Sequence, residues 1–188
     1  MDKKWFIRLM SGLLTGFFVL MPAARTAEQR FPASVNSANT QLKLCSQAEL
    51  KAFRLIHVGN AALYLENCNA LANIFSLTPK RIRFLYDKSI PAKAFREASI
   101  EYLEINLGKK FNQWKTAYDK FNSNYQDIKA GDYYDLIYDP ASGLLLQLNG
   151  KDLAAIQDKD IGLAYLNVWF GREPFSEDLK KTLLKIDD

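Results

Sequence analysis

The sequence contains few of the side chains on which catalytic and metal sites usually depend. Of its 188 residues, one is a histidine and two are cysteines. A Ser-His-Asp or Cys-His arrangement would have to use His57, which lies in the middle of an extended apolar segment. Cys45 and Cys68 are 23 residues apart, whereas a structural zinc site takes four ligands in short-spaced pairs. We therefore expect no metal site and assign no catalytic residue.

The sequence also lacks features that bind cofactor phosphates or nucleic acids. The nine glycines are scattered, so no glycine-rich phosphate loop is present. Of the 25 basic and 21 acidic residues, four and one respectively lie within residues 1–27, which leaves the remainder almost neutral. Nucleic-acid binding depends largely on clustered basic residues that neutralise phosphates. We expect neither a cofactor nor a nucleic-acid partner.

Residues 1–27 have the three-part composition of a secretory signal peptide. Lys3, Lys4 and Arg8 form a basic start, an almost uncharged stretch runs from residue 9 to 21, and small residues follow. This apolar stretch is shorter than the roughly 20 residues of a membrane-spanning helix. The alternative is an uncleaved membrane anchor. The pattern predicts a periplasmic or secreted bacterial protein that contacts the membrane only through this segment.

The rest of the chain is predicted to be a short linker and one domain. Residues 28–40 are polar and rich in Ser and Asn, which indicates a linker. Residues 41–188 have the size and composition of one globular domain. In an oxidising compartment Cys45 and Cys68 can form a disulfide. The alternative is two buried thiols, because the sequence does not show whether their Cα atoms come within the roughly 7 Å that a bridge needs.

Hydrophobic periodicity and turn residues predict an α+β domain. Strands are expected at 41–44, 52–65, 81–87, 133–139, 144–150 and 151–156, and helices at 70–77, 91–108, 111–125, 160–170 and 177–186. The last three strands form hairpins, because turn residues occupy 139–143 and 149–150. Hairpins without regular βα alternation indicate a mainly antiparallel sheet.

Two charged groups could carry chemistry, and each has a structural alternative. The carboxylates of Asp132, Asp135 and Asp139 cluster near one strand, where residues 135 and 139 share a face and could form a general-acid pair. The alternative is a solvated face of an edge hairpin. The basic group could bind an anion or simply line an outer face of the sheet; it consists of Lys80, Arg81 and Arg83.

A twisted sheet covered on one face by aromatic helices provides a cleft for a flat or fatty ligand. Such pockets are mostly apolar and contain a few placed polar groups. Lys51, which precedes the long apolar strand, is a candidate for one of these groups. The alternative is a surface lysine whose stem lies along the apolar surface.

Four ordered blocks of sequence resemble the bacterial chalcone-isomerase-like proteins. They are LKAFRLIHVGNAALYL (50–65), PKRIRFLYDKSIPAKAFREA (79–98), KAGDYYDLIYDPASGLLLQLNGKDLAAI (129–156) and IGLAYLNVWFGREPFSEDLKKTLL (161–184). The resemblance implies an open-faced β-sandwich, in which a large antiparallel sheet carries helices on one face. It also implies one of two activities, since the family includes plant flavonoid isomerases and fatty-acid binders.

The residues that the family uses for isomerisation are not conserved in this chain. The family's arginine before the long strand corresponds to Lys51, and a hydroxyl-bearing residue corresponds to Gly59. On the following helix the family's Tyr, Lys and Asn correspond to Phe95, Ala98 and Tyr102. The resemblance thus implies a non-catalytic protein that binds an amphiphile such as a fatty acid through Lys51 and Tyr102. The alternatives are an isomerase or intramolecular lyase acting on an unsaturated carbonyl compound, and an accessory protein without a small ligand.

Overall fold

A computed structural model describes residues 31–37, 40–52 and 55–186 of the chain. The predicted signal segment, residues 1–27, and the first part of the predicted linker lie outside these residues. Within the described ranges no helix is long and apolar enough to cross a membrane.

Seven strands form one antiparallel sheet in which each strand pairs with the next along the chain. They are β1 (Ser34–Ser37), β2 (Thr40–Ala52), β3 (Ile56–Leu65), β4 (Lys80–Tyr86), β5 (Tyr133–Asp139), β6 (Gly143–Leu148) and β7 (Lys151–Ile156). A 3-10 helix, Cys68–Asn73, lies between β3 and β4. The prediction of an α+β fold with a mainly antiparallel sheet is confirmed.

Five α-helices occupy the connection before β5 and the C-terminal region. They are α1 (Ala92–Leu107), α2 (Lys109–Asn122), α3 (Lys159–Ala164), α4 (Asn167–Phe170) and α5 (Glu177–Leu184). Side-chain oxygens cap two of them, because Asp158 accepts from the backbone N–H groups of residues 160 and 161 and Ser176 accepts from that of Leu179. These caps fix where the C-terminal helices begin.

Alternation along the strands divides the buried residues into two clusters on opposite faces of the sheet. The larger cluster contains inward-facing strand residues together with residues from the helices. The smaller cluster lies on the other side, which we call the outer face, and consists of Phe31, Leu42, Ala62, Tyr64 and Leu85. The predicted placement of the helices on one face is therefore confirmed.

Four predicted segments differ from the observed elements. Residues 34–37, which fall in the predicted linker, form β1 and pair with β2. The predicted strand 52–65 is interrupted by the β2–β3 hairpin, since β2 continues to Ala52 and β3 begins at Ile56. The predicted helix 160–170 is two short helices, and the predicted helix 70–77 is the 3-10 helix.

Candidate functional site

Aromatic rings fill the space between the sheet and helices α1 and α2. The Phe95 ring of α1 lies 5.3 Å from Tyr134, 5.4 Å from Tyr86 and 5.5 Å from Tyr125. Most of these pairs meet edge to face, an arrangement that aromatic quadrupoles favour. A second group of rings continues this layer, since Tyr165 lies 4.9 Å from Phe121. The layer is therefore densely packed and mainly apolar.

The polar atoms in this aromatic layer form one small network. The Tyr165 hydroxyl donates to Oδ1 of Asn122 at 2.6 Å and lies 3.2 Å from the Tyr125 hydroxyl. Burial raises the pKa of Tyr125 to about 12, so its hydroxyl stays protonated at neutral pH. Nδ2 of Asn122 has no partner among the described residues. One buried donor in the layer is therefore available.

Two cavities of the described chain lie outside the aromatic layer. One has a volume of about 70 Å³ and is lined by residues of the 3-10 region and by Lys80. The other is an open depression of about 440 Å³ along α1, lined by Arg96, Ile100 and three glutamates. Ligand pockets are usually mostly apolar and about 300–1,000 Å³ in volume. The smaller cavity is below that size, and the larger is open to solvent with four charged residues among the five that line it.

Lys51 lies near the end of β2 in a half-exposed charged cluster. Its Nζ is 2.9 Å from Oε2 of Glu49, and Oε1 of the same carboxylate is 2.8 Å from Nδ1 of His57. The other ring nitrogen of His57 is 2.9 Å from Oδ2 of Asp87. The bond with Glu49 raises the pKa of Lys51, and Asp178 of α5 adds a further attraction. Lys51 is thus a charged group at the surface beside α5.

Tyr102 lies half-buried on α1 and packs against the segment that precedes α5. Its ring is 5.7 Å from that of Phe175 and meets it edge to face. No recorded hydrogen bond or ion pair joins Tyr102 to Lys51 among the described residues. Both residues lie near the C-terminal part of the chain, since Tyr102 contacts Phe175 just before α5 and Lys51 lies on β2, the strand against which α5 packs. Their role in binding stays a prediction.

Gly59 is required by the packing of the sheet. It pairs with Tyr86 of β4 and with Leu50 of β2, next to a register shift between Leu50 and Lys51. A Cβ atom at this position would overlap the backbone carbonyl oxygen of Leu85. The missing hydroxyl at position 59 therefore accompanies a backbone arrangement that leaves no room for a side chain.

The three predicted carboxylates have structural partners. Asp135 is 1% exposed and accepts two hydrogen bonds from Arg83, at 2.8 and 2.7 Å. Asp132 accepts from the backbone N–H of Lys129, and Asp139 accepts from that of Ala141 in the hairpin turn. Register pairing of β4 with β5 places Asp135 opposite Arg83. A buried ion pair thus replaces the general-acid pair considered from the sequence.

The Lys80 side chain lies on the helix-covered face of the sheet, whereas those of Arg81 and Arg83 lie on the outer face. Its Nζ donates to the carbonyl oxygens of Ser76 at 2.7 Å and Thr78 at 2.6 Å, and lies 4.7 Å from the centre of the Tyr138 ring. Burial without a carboxylate partner lowers the pKa of Lys80 to about 8. The three basic residues therefore do not form one anion patch.

Cys45 and Cys68 form a disulfide, with 5.1 Å between their Cα atoms. The bond connects β2 to the first residue of the 3-10 helix. Of the two alternatives that the sequence leaves open, the structure contains the bridge.

The structure is an open-faced α+β domain. Helices cover one face of a curved antiparallel sheet, and an aromatic layer lies between the sheet and the helices. The sequence profile of the chalcone isomerase-like family matches residues 23–185, and the chain belongs to that family. The match begins within the predicted signal segment. No curated protein sequence matches the chain.

A solved structure with a similar fold is that of a fatty-acid binding protein from Arabidopsis thaliana. The TM-score is 0.60 at 16% sequence identity, and the alignment covers 82% of this chain and 90% of that chain. At this identity the similarity establishes a common fold. The family resemblance noted from the sequence is thus confirmed at the level of the chalcone isomerase-like family.

Proposed function

We propose that the chain is an exported, non-catalytic bacterial protein that binds a small amphiphile such as a fatty acid. The observation that carries this proposal is that Lys51 and Tyr102 both lie near the C-terminal part of the chain: Lys51 is on β2, the strand against which α5 packs, and the Tyr102 ring contacts Phe175 just before α5. Lys51 supplies a positive charge and Tyr102 a hydroxyl, and Phe175 packs on the main core. We call the surface around Lys51 and Tyr102 the rim. An acidic head would bind at this rim, and an apolar tail would enter the aromatic layer.

Entry of a tail requires part of the aromatic layer to move, because the recorded cavities lie elsewhere. Phe95 is the partly buried ring in contact with three tyrosines of the layer. A displacement of Phe95 would leave apolar space next to Tyr125, whose hydroxyl belongs to the network at Tyr165. The similar fold of a fatty-acid binding protein supports the proposal that this fold can hold a fatty tail.

The proposed loss of isomerase chemistry rests on the residue correspondences that the family resemblance implies. Gly59, Phe95 and Ala98 offer neither a hydroxyl nor an amine where the isomerases are expected to polarise a ketone. Removal of a single such donor typically costs about 2.7–4 kcal/mol of transition-state stabilisation. Chalcone turnover by the purified protein should therefore equal that of buffer.

The proposal is tested by mass spectrometry of an organic extract of the purified protein and by titration with dodecanoate. Lys51→Glu should weaken binding about thirtyfold, because replacing an attraction of about 1 kcal/mol with a repulsion of similar size changes the binding free energy by about 2 kcal/mol. Lys43→Glu is the matched control, since it makes the same change at an exposed position of the same strand. Binding by this control should equal that of the wild type.

Glu49→Gln separates a role in binding from a role in folding. Glu49 now pairs with Lys51 at 2.9 Å and competes with any acidic ligand. Its neutralisation should tighten dodecanoate binding, whereas loss of a purely structural ion pair would not. An extract without amphiphile, together with no titratable binding of dodecanoate, would contradict the proposal.

Export rests on two separate features. The composition of residues 1–27 is that of a signal peptide, and a disulfide joins Cys45 to Cys68. Disulfides persist in the periplasm and outside the cell but are rare in the reducing cytosol. Fractionation of a producing bacterium should recover the protein from the periplasm or medium, with an N-terminus between residues 25 and 28. Intact full-length chain in the cytosol would contradict export.

A further inference from the structure

The outer face of the sheet contains a buried charged group that is separate from the Lys51 rim. Asp135 is 1% exposed, and the side chains of Arg81 and Arg83 are 12% and 14% exposed. Apolar residues surround this group, because the outer-face cluster includes Tyr64 and Leu85. Buried charges at this depth are normally paired.

The charges of this group do not cancel. Asp135 is saturated by Arg83, which donates to both carboxylate oxygens and stacks 4.1 Å above the Tyr133 ring. Arg81 reaches the same carboxylate only at 3.7 Å, and no other ion pair is recorded for it in the described ranges. Among the described residues, two guanidinium groups therefore share one carboxylate, and the group has a net charge of +1.

Three donors in this region also have no partner among the described residues. They are Nε of Arg81, the hydroxyl of Tyr64 and Oγ of Ser37. Tyr64 is directly opposite Arg81 in the β3–β4 register, so both side chains lie on the outer face. Nη2 of Arg81 donates to the carbonyl oxygen of Asn36 at 3.0 Å, next to Ser37. The three unsatisfied atoms thus belong to one neighbourhood.

We propose that the outer face binds a carboxylate group at Arg81, Tyr64 and Ser37. A carboxylate supplies the single negative charge that the group lacks and the acceptor oxygens that its donors require. A water molecule could satisfy a hydroxyl, but it would leave the positive charge uncompensated. Tyr64 remains a donor at neutral pH, because burial raises its pKa to about 12. The side chains of Tyr64 and Ser37 are buried, so binding would require a movement at the outer face that uncovers their hydroxyls; the guanidinium groups of Arg81 and Arg83, at 12% and 14% exposed, are the accessible part of the site.

The carboxylate has two possible sources: a small free carboxylate, or the head of a fatty acid whose tail lies along the outer-face cluster. Isothermal titration with acetate and with dodecanoate, at constant sodium concentration with chloride as the balancing anion, distinguishes them. Tyr64→Phe removes only one donor and keeps the ring. It should weaken carboxylate binding about tenfold, since hydrogen bonds to charged groups contribute about 1.5–3 kcal/mol.

Tyr138→Phe is the matched control. Tyr138 is also fully buried with an unpartnered hydroxyl, but it faces the helices instead of the outer face. This control should bind both carboxylates as the wild type does. Arg81→Gln should abolish carboxylate binding, and Tyr64→Phe keeps the test informative if that variant does not fold.

Each outcome decides the proposal. Saturable acetate binding that Tyr64→Phe weakens supports a site for small carboxylates. If Tyr64→Phe weakens the binding of dodecanoate and acetate does not bind, the site is one for a lipid head. If neither ligand responds to Tyr64→Phe, or if neither binds, the outer-face site is wrong. Dodecanoate binding that responds to Lys51→Glu but not to Tyr64→Phe would retain the proposed function and overturn only this inference.

Discussion

His57 is the residue with the most direct spectroscopic test, because the chain has no other histidine. The hydrogen bond to Asp87 is the main cause that raises its pKa, and the bond to Glu49 adds to it. The raised pKa means that the charged ring stabilises the fold below its ordinary pKa of 6.5, and that this stabilisation is lost as the pH rises through the folded value.

A titration of the His57 ring protons by NMR should therefore give a midpoint above 6.5. Asp87→Asn should lower the midpoint, because it removes the principal negative partner. Asp119→Asn, which alters an exposed pair with Lys115 elsewhere, should leave it unchanged. A midpoint at or below the ordinary value in the wild type would show that the two carboxylates do not hold the ring.

The lowered pKa of Lys80 predicts that the stability of the fold rises with pH. Its pKa is about 8 in the folded chain and 10.5 ordinarily, so the unfolded chain binds more protons between these values. The unfolding free energy of the wild type, relative to Lys80→Met, should rise by up to about 3 kcal/mol from pH 7.5 to 10.5. Urea unfolding at several pH values measures this difference. A pH-independent difference would show that the ammonium is not desolvated.

Single residues of the site could be proposed from the sequence, but their partners could not. Lys51 precedes the long apolar strand of the sequence, whereas the contact that links its partner Glu49 to His57 depends on the β2–β3 pairing, which no local pattern signals. Asp135 and Arg83 are 52 residues apart and meet only through the β4–β5 register. Alternation along β4 places Arg81 and Arg83 on one outer face, as considered from the sequence, but it does not indicate Tyr64 and Ser37, which come from other strands.

Among the elements, the pairing of β3 with β4 depends on one glycine, Gly59. The carbonyl of Leu85 occupies the space where a side chain of residue 59 would begin, and a backbone atom cannot move aside as a flexible side chain can. Gly59→Ala should destabilise the fold by about 3 kcal/mol or more. Circular dichroism during thermal and urea unfolding measures this loss.

Gly131 provides the comparison for Gly59. It has a φ of +94° and nothing within 4 Å of an added Cβ, so Gly131→Ala carries only backbone strain. That strain should cost about 1–2 kcal/mol. Equal destabilisation by the two substitutions would indicate that β3 and β4 separate readily at Gly59.

Elements with strong turn signals were predictable, and those without them were not. Asn149 and Gly150 both have positive φ values, at 52° and 81°, which explains why this Asn-Gly pair marks the β6–β7 hairpin. The β2–β3 turn instead lies in the segment Ala52 to Ile56, which contains no Gly, Pro, Asn or Asp. Strand β1 is short and polar at an edge, so its composition resembles a linker.

At the scale of the whole molecule, the fold is similar to that of one fatty-acid binding protein, and the site must be argued from this chain's residues. The helix-covered face combines a charged rim with a filled aromatic layer. The outer face combines an uncompensated guanidinium with apolar neighbours. Substitutions at Lys51 and at Tyr64 test these faces separately.

The disulfide connects stability of the whole molecule to the compartment in which it is found. The bond closes a loop of 23 residues that contains part of β2, all of β3 and the start of the 3-10 helix. By restricting the unfolded chain, closure of such a loop should stabilise the fold by about 3 kcal/mol. Dithiothreitol should therefore lower the unfolding free energy of the wild type by about this amount.

The double variant Cys45→Ala/Cys68→Ala separates this effect from other actions of the reductant. Its unfolding free energy should already be lower than that of the wild type and should not respond to dithiothreitol. Cys45 is 7% exposed and packs in the main core, so the replacement also removes a small apolar contact. A wild type that ignores the reductant while both thiols titrate as free would show that the bridge does not form, and would remove one of the two supports for export.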